Sequence, residues 1–182
     1  MNSKDNIRIA IKKQKASVDA EEKKDAEVLV FNKVHSLDEW NTSKNILFYN
    51  SLPDELQTTR QLEDNNHDKN IFLPRVNGST LDILRYDADN MHIGAFNINE
   101  PSGHNTTDIE AIDLVIVPGV AFDKNGNRLG RGKGYYDSLL SNCRAIKIGV
   151  CYDFQLLDNI PAENHDVKMD IIITPKSLIR IK

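Results

Sequence analysis

The sequence predicts an α/β protein: a single three-layer α/β/α domain over residues 1–182, with a mostly parallel sheet at its centre. Three observations predict it. Short apolar runs rich in β-branched residues recur at 45–49, 71–73, 112–117, 145–150 and 171–173. The run at 112–117 is nearly continuous and stops at Pro118-Gly119, as a strand covered on both faces does. Stretches with helical spacing fall between the runs, and strands alternating with helices assemble into parallel sheets. With 40% hydrophobic and 27% charged residues, the chain has the usual globular mix and needs no disulfide or metal to hold a core.

The first element is a helix. Ile7, Ala10, Ile11 and Gln14 share one face of it, and Lys4, Arg8, Lys12 and Lys15 lie on another. Ser17 is placed to cap a second helix, with Asp19, Glu21 and Glu22 in its first turn. Ala26, Leu29, Val30, Val34 and Leu37 would form its buried face. Residues 45–49 form the first strand, the cluster Ser51-Leu52-Pro53-Asp54 a turn, and residues 55–63 a helix. A second strand at 71–73 would close at Pro74, and 81–86 alternates as a half-buried strand does. Residues 101–107 read as a loop. After the strand at 112–117 come a helix over 135–142 and the strands at 145–150 and 171–173. Ligands of such sheets bind beyond the carboxyl ends of the strands, where the loop after Val117 begins.

Composition narrows the function. A net charge of -4 argues against nucleic acid, which is gripped by clustered Lys and Arg. No apolar run approaches the roughly 18 residues of a membrane span. The first residues lack the apolar region of a secretory signal, so a cytoplasmic location is expected. Cys143 and Cys151 have neither metal nor redox spacing and read as partly buried thiols of a reducing compartment.

The chemistry concentrates between residues 117 and 137. Gly130, Gly132 and Gly134 alternate with Arg131 and Lys133, and Arg128 precedes them, between a buried strand and a helix. Glycines let backbone N–H groups turn toward an anion, the helix start adds partial positive charge, and the three cations supply charged donors. The pattern is a polyphosphate cradle. It is not a Walker A loop, because Gly134 and not Ser or Thr follows Lys133. Mg²⁺ on a nucleotide takes one or two protein carboxylates; Asp137, one turn into the helix, and Asp170, just before the last parallel strand, are the candidates.

The strings PGVAFD at 118–123 and RLGRGKGYYD at 128–137 resemble the signature segment of the 5-formyltetrahydrofolate cyclo-ligase family. Lys4 with Arg8, the segment from Asn50 to Glu55, Leu73-Pro74-Arg75, Glu100-Pro101, and His165-Asp166 with Asp170 resemble further family elements in the same order, so the resemblance spans residues 4–174. It implies a fold of the sugar-phosphate isomerase or CoA-transferase type. It also implies an ATP- and Mg²⁺-dependent cyclisation of 5-formyltetrahydrofolate to 5,10-methenyltetrahydrofolate through a phosphorylated formyl group, with ADP and phosphate released. Lys4 and Arg8 would touch ATP phosphates. Arg128, Leu129, Gly130, Arg131, Gly132, Lys133, Gly134, Tyr135 and Tyr136 would wrap the triphosphate, with Arg131 to Tyr135 also facing the formyl group. Asn50, Glu55 and Phe96 would hold the folate, Glu55 at the pterin ring. Asp137 and Asp170 would bind magnesium, and Lys133 and Arg131 would stabilise the transferring phosphoryl group. The partners implied are the folate and ATP, with no nucleic acid or membrane, in a monomer or weak homodimer. A binding module without activity, a sugar-phosphate or acyl-CoA enzyme of related fold, and an RNA-binding protein are the competing readings.

Overall fold

A computed structural model gives the arrangement of residues 3–163 and 166–182, the Phe96 side chain excepted. In chain order the elements are α1 (Ser3–Ala16), α2 (Ala20–His35), α3 (Asp38–Thr42), β1 (Asn45–Leu47), α4 (Thr59–Asn65), β2 (Asn70–Asn77), β3 (Thr80–Arg85), β4 (Met91–Ile93), β5 (Asn99–Pro101), β6 (Leu114–Val117), β7 (Ala121–Asp123), β8 (Arg128–Leu129), α5 (Tyr135–Leu140), β9 (Ile146–Val150), β10 (Leu156–Leu157), β11 (Ile171–Ile173) and β12 (Leu178–Arg180).

Seven strands form the main sheet in the order β12-β11-β9-β6-β1-β2-β3. The neighbours from β11 to β2 pair in parallel; only the outer strands β3 and β12 run antiparallel. From β1 the chain builds outward through β2 to one edge. From β6, on the other side of β1, it builds outward through β9 and β11 to the opposite edge. The order therefore reverses between β1 and β6, and a crevice opens at their carboxyl ends.

Alternate side chains feed two cores, as the period of a strand requires. Ile46, Leu114, Ile116, Ile148 and Ile171 pack with Val30, Phe31 and Val34 of α2 and Trp40 of α3. Leu47, Val115, Val117 and Ile172 pack on the other face with Leu140 of α5, Phe122 and Met169. Phe122 of a small sheet, β10-β7-β8, and the short helix α5 thus help to cover the second face.

Several local expectations change. Asp19, not Ser17, caps α2: its carboxylate accepts from Glu22 N at 2.8 Å, and the Glu22 carboxylate accepts from Asp19 N at 3.1 Å. Ser17 instead donates to the carbonyl of Gln14. Phe31 joins the buried face of α2, and Leu29 is exposed. The helix expected from residue 55 begins only at Thr59, because side chains close 50–58 into a tight loop: the Gln57 amide donates to Leu52 and Glu55 carbonyls, and Thr58 Oγ1 donates to Tyr49 O at 2.6 Å. Pro74 lies inside β2. The carbonyl of Phe72 faces β1, where it accepts from Phe48 N, so two residues on Pro74 points the same way, past the end of β1 pairing at Phe72, and no ladder bond is lost.

The first helix is turned round. Ala10 and Gln14 are exposed, while Ile11 and Lys15 are buried. Ile11 packs with Val120, Ala121, Leu129 and Ile160 against the small sheet, which brings the face carrying Lys4, Arg8 and Lys15 inward.

Candidate active site

A cleft of about 630 Å³ occupies the carboxyl ends of β1, β2 and β6. The chain after β1 contributes Tyr49, Asn50, Leu52 and Glu55; β2 contributes Pro74 and Val76; the chain after β6 contributes Pro118, Gly119 and Val120. Residues 128–137 form one wall, and Lys4 and Arg8 of α1 close it.

The segment expected to be one continuous cradle has two parts. Residues 121–129 are a β-hairpin, β7-β8, built around the buried Asp123. Its Oδ1 accepts from Asn125 N and Asn127 N, and its Oδ2 from Asn127 Nδ2 and Ile160 N. The glycine loop proper is 130–134. Gly132 (φ 97°) and Gly134 (φ 73°) hold left-handed backbone, open to glycine at little steric cost, and Gly134 leads directly into α5.

Charged groups fix this loop from several sides. Arg128, on β8, is buried; its Nη2 donates to Asp137 Oδ1 at 2.8 Å, and its guanidinium stands 5.6 Å from the centre of the Tyr136 ring. The Arg128 Nε and the Tyr136 hydroxyl are both buried and find no partner among the described residues; burial pushes the Tyr136 hydroxyl pKa well above its ordinary value. Arg8 Nε donates to the carbonyl of Gly130 at 3.1 Å, joining α1 to the loop. The Tyr135 hydroxyl donates to the carbonyl of Gly78 in the β2–β3 turn at 3.2 Å.

Arg131 reaches across the cleft to two carboxylates, Asp54 Oδ1 at 2.7 Å and Glu55 Oε1 at 3.1 Å. Glu55 also accepts from Leu52 N at 3.0 Å. Behind them the Lys15 ammonium lies 3.6 Å from Asp54 Oδ2. Burial lowers the Lys15 pKa, with Asp54 and Glu55 offsetting only part of that. Burial also acts to raise the Asp54 pKa, but Lys15 and Arg131 together outweigh it and the net shift is downward. Lys4 donates to Glu163 at 2.8 Å and Asp166 at 3.2 Å, and chiefly the Glu163 bond raises its pKa against the effect of burial. Lys133 lines the cleft, exposed, and makes no hydrogen bond or ion pair with any described residue. It is free to meet an incoming anion.

The expected residues Lys4, Arg8, Asn50, Glu55, Arg128, Leu129, Gly130, Arg131, Gly132, Lys133, Gly134, Tyr135, Tyr136 and Asp137 all line this one cleft. The expectation for the Phe96 side chain, and for His165 in the tail motif, falls outside the described residues. Asp170 is not brought to the cleft. It directly precedes β11, at the amino ends of the parallel strands, where its carboxylate accepts from Lys147 N at 2.8 Å and pairs with Lys147 Nζ at 2.7 Å. Asp166, four residues earlier, lines the cleft instead. Strand direction carries the signal: a residue just before a parallel strand sits at the end of the sheet away from the ligand. Lys15, Asp54 and Glu100, which the sequence patterns include without giving them a role in the site, are further charged groups at or behind the cleft.

The model of the 5-formyltetrahydrofolate cyclo-ligase family matches residues 1–175. The chain belongs to the 5-formyltetrahydrofolate cyclo-ligase family. A cyclo-ligase of Haemophilus influenzae is 35% identical over 178 residues, covering 92% of this chain and 95% of its own. A probable cyclo-ligase of Schizosaccharomyces pombe is 33% identical over 174 residues, covering 84% of this chain and 85% of its own. The solved structure of Aquifex aeolicus 5,10-methenyltetrahydrofolate synthetase superposes with a TM-score of 0.90 at 32% identity, covering 98% of this chain and 93% of that one. The chain is therefore an enzyme of folate metabolism, with the large, mostly parallel sheet of its relatives.

Proposed function

We propose that the cleft converts 5-formyltetrahydrofolate and ATP to 5,10-methenyltetrahydrofolate, ADP and phosphate. One observation carries the reading: the glycine loop 130–134, bearing the exposed Lys133, faces Glu55 within a single cleft at the point where strand order reverses. A phosphate-binding loop and a group suited to an N–H-rich ring are thus within reach of one bound pair of substrates.

The formyl oxygen on N5 attacks the γ-phosphorus of ATP and ADP leaves, giving an iminium phosphate. N10 then attacks the formyl carbon and loses its proton, and the oxygen departs with phosphate. The protein positions the reactants and neutralises charge, with no covalent nucleophile needed. Lys133 and Arg131 are placed to take the charge of the transferring phosphoryl group, and Lys4, Arg8 and Arg128 the remaining phosphates. Glu55 holds the pterin once Arg131 turns toward phosphate, and Asn50 lines the same pocket. Magnesium, when bound, neutralises charge on the phosphates. It needs only one or two protein carboxylates, and the cleft provides Asp137 and Asp166; Asp170 has no part in holding it. The enzyme acts as one domain on small molecules, with no nucleic-acid or membrane partner.

The test is the absorbance of the methenyl product on mixing the protein with 5-formyltetrahydrofolate, Mg²⁺ and ATP. A rise that requires ATP is expected; a folded sample giving none overturns the reading. Lys133→Ala is expected to cut kcat about 100-fold or more with the thermal midpoint unchanged, and wild-type turnover in that variant would remove Lys133 from its role.

A further inference from the structure

The most enclosed carboxylate on the cleft is Glu100, only 6% exposed. It stands on β5, whose partner β4 forms with it a short hairpin beside β2. Its Oε1 accepts from Val76 N at 3.3 Å, an N–H that points past the end of β1 as Pro74 does. Among the described residues, none donates a hydrogen bond to its Oε2 and no cation pairs with it. Around it the cleft wall is apolar: Pro74, Val76, Leu81 and Ile98.

A second observation shows that room is kept for this carboxylate. Gly94 lies directly beneath it, and a Cβ at that position would stand 2.1 Å from Glu100 Oε2. Any other residue there would drive the carboxylate aside. Buried carboxylates are retained when donors meet them, and here the protein supplies a donor to one oxygen only.

We infer that Glu100 is a substrate-reading residue, whose second oxygen accepts an N–H of the reduced pterin ring on the β2–β3 side of the cleft. The inference rests on the proposed reaction. A carboxylate only accepts, so it repels the triphosphate and selects the N–H-rich part of the folate: the exocyclic amine and the ring N–H groups. Glu55, already accepting from Arg131 and Leu52 N, shares the ring with Glu100 rather than holding it alone.

The test compares Glu100→Gln with Gly94→Ala. Glutamine can keep its oxygen on Val76 N and present an amide N–H where the ligand also presents one. KM for 5-formyltetrahydrofolate should rise about 10- to 100-fold, with KM for ATP and the thermal midpoint unchanged. Gly94→Ala displaces the carboxylate, since a Cβ there would also stand 2.8 Å from Glu100 Cγ, and should raise the same KM. A wild-type folate KM in Glu100→Gln, or an equal rise in both KM values, overturns the inference and leaves Glu100 as a pin for the β4–β5 hairpin. Should Glu100→Gln fail to fold, Gly94→Ala decides by the same criterion. A folded wild-type chain that makes no methenyl product overturns the reaction and this inference together; one that turns over while both variants keep the wild-type folate KM overturns the inference alone.

Discussion

At the residue scale, Asp166 and Asp170 are the sharpest case. Both are acidic and four positions apart, yet they lie at opposite ends of a parallel sheet. Asp166→Asn should lower kcat/KM at least tenfold, whereas Asp170→Asn should leave turnover near wild type and cost stability through the lost Lys147 pair. Steady-state rates and melting of the two variants check this. Lys15 and Asp54 give a pH signature. The Lys15 pKa is lowered by burial, so the folded chain releases that proton before the unfolded chain does. Stability should therefore climb as pH rises from the lowered value to the ordinary 10.5. Lys15→Met should abolish this climb and stabilise the protein at neutral pH by about 1 kcal/mol, since Asp54 keeps Arg131 and solvent. Asp54 acts at the other extreme: its pKa is lowered, so its contribution is present above 3.8 and lost as pH falls further. Denaturant melts of wild type and Lys15→Met across pH test both signs.

At the element scale, the legible parts were those whose signal is local. The runs that became β6 and β11 are apolar on both faces because both faces are covered, β9 is so from Ile148 onward, and the glycine loop announces itself by composition. What sequence hid was set by partners far along the chain. Periodicity alone did not show which face of α1 turns inward, because the hairpin, the loop and the acidic tail that receive it lie more than a hundred residues away. Pro74 looked like a strand end because nothing local says that β1 has already stopped. The helix expected at 55 was delayed by the Gln57 and Thr58 side chains, whose bonds to loop carbonyls compete with helix formation. Capping was a choice between neighbours: Asp19 wins over Ser17 because only Asp19 has Glu22 three positions on. Asp19→Ala should cost about 1 kcal/mol, seen as a lower midpoint in denaturant with unchanged turnover.

At the scale of the whole molecule, the net charge of -4 hides the balance within the cleft. Among the described residues, five cations, Lys4, Arg8, Arg128, Arg131 and Lys133, share it with five carboxylates, Glu55, Glu100, Asp137, Glu163 and Asp166. A bare triphosphate meets no surplus of Lys and Arg over carboxylates among these residues. ATP should consequently raise the melting temperature by several degrees with Mg²⁺ present and by far less in a chelator, and added salt should weaken the effect. Equal shifts with and without the metal would show that the protein cations alone carry the nucleotide.

The docking of α1 has a consequence in time. Its cleft-side bonds run to Gly130, Glu163 and Asp166, separated from their partners by 122, 159 and 162 positions. At a synthesis rate of roughly 5 to 20 residues per second, the helix waits on the order of ten to thirty seconds for the last of them. A segment made early is thus among the last to find its place: a nascent chain in which β1, β2 and β6 have already paired still lacks the Arg8 contact until residue 130 has been made and the Lys4 contacts until residues 163 and 166 have followed.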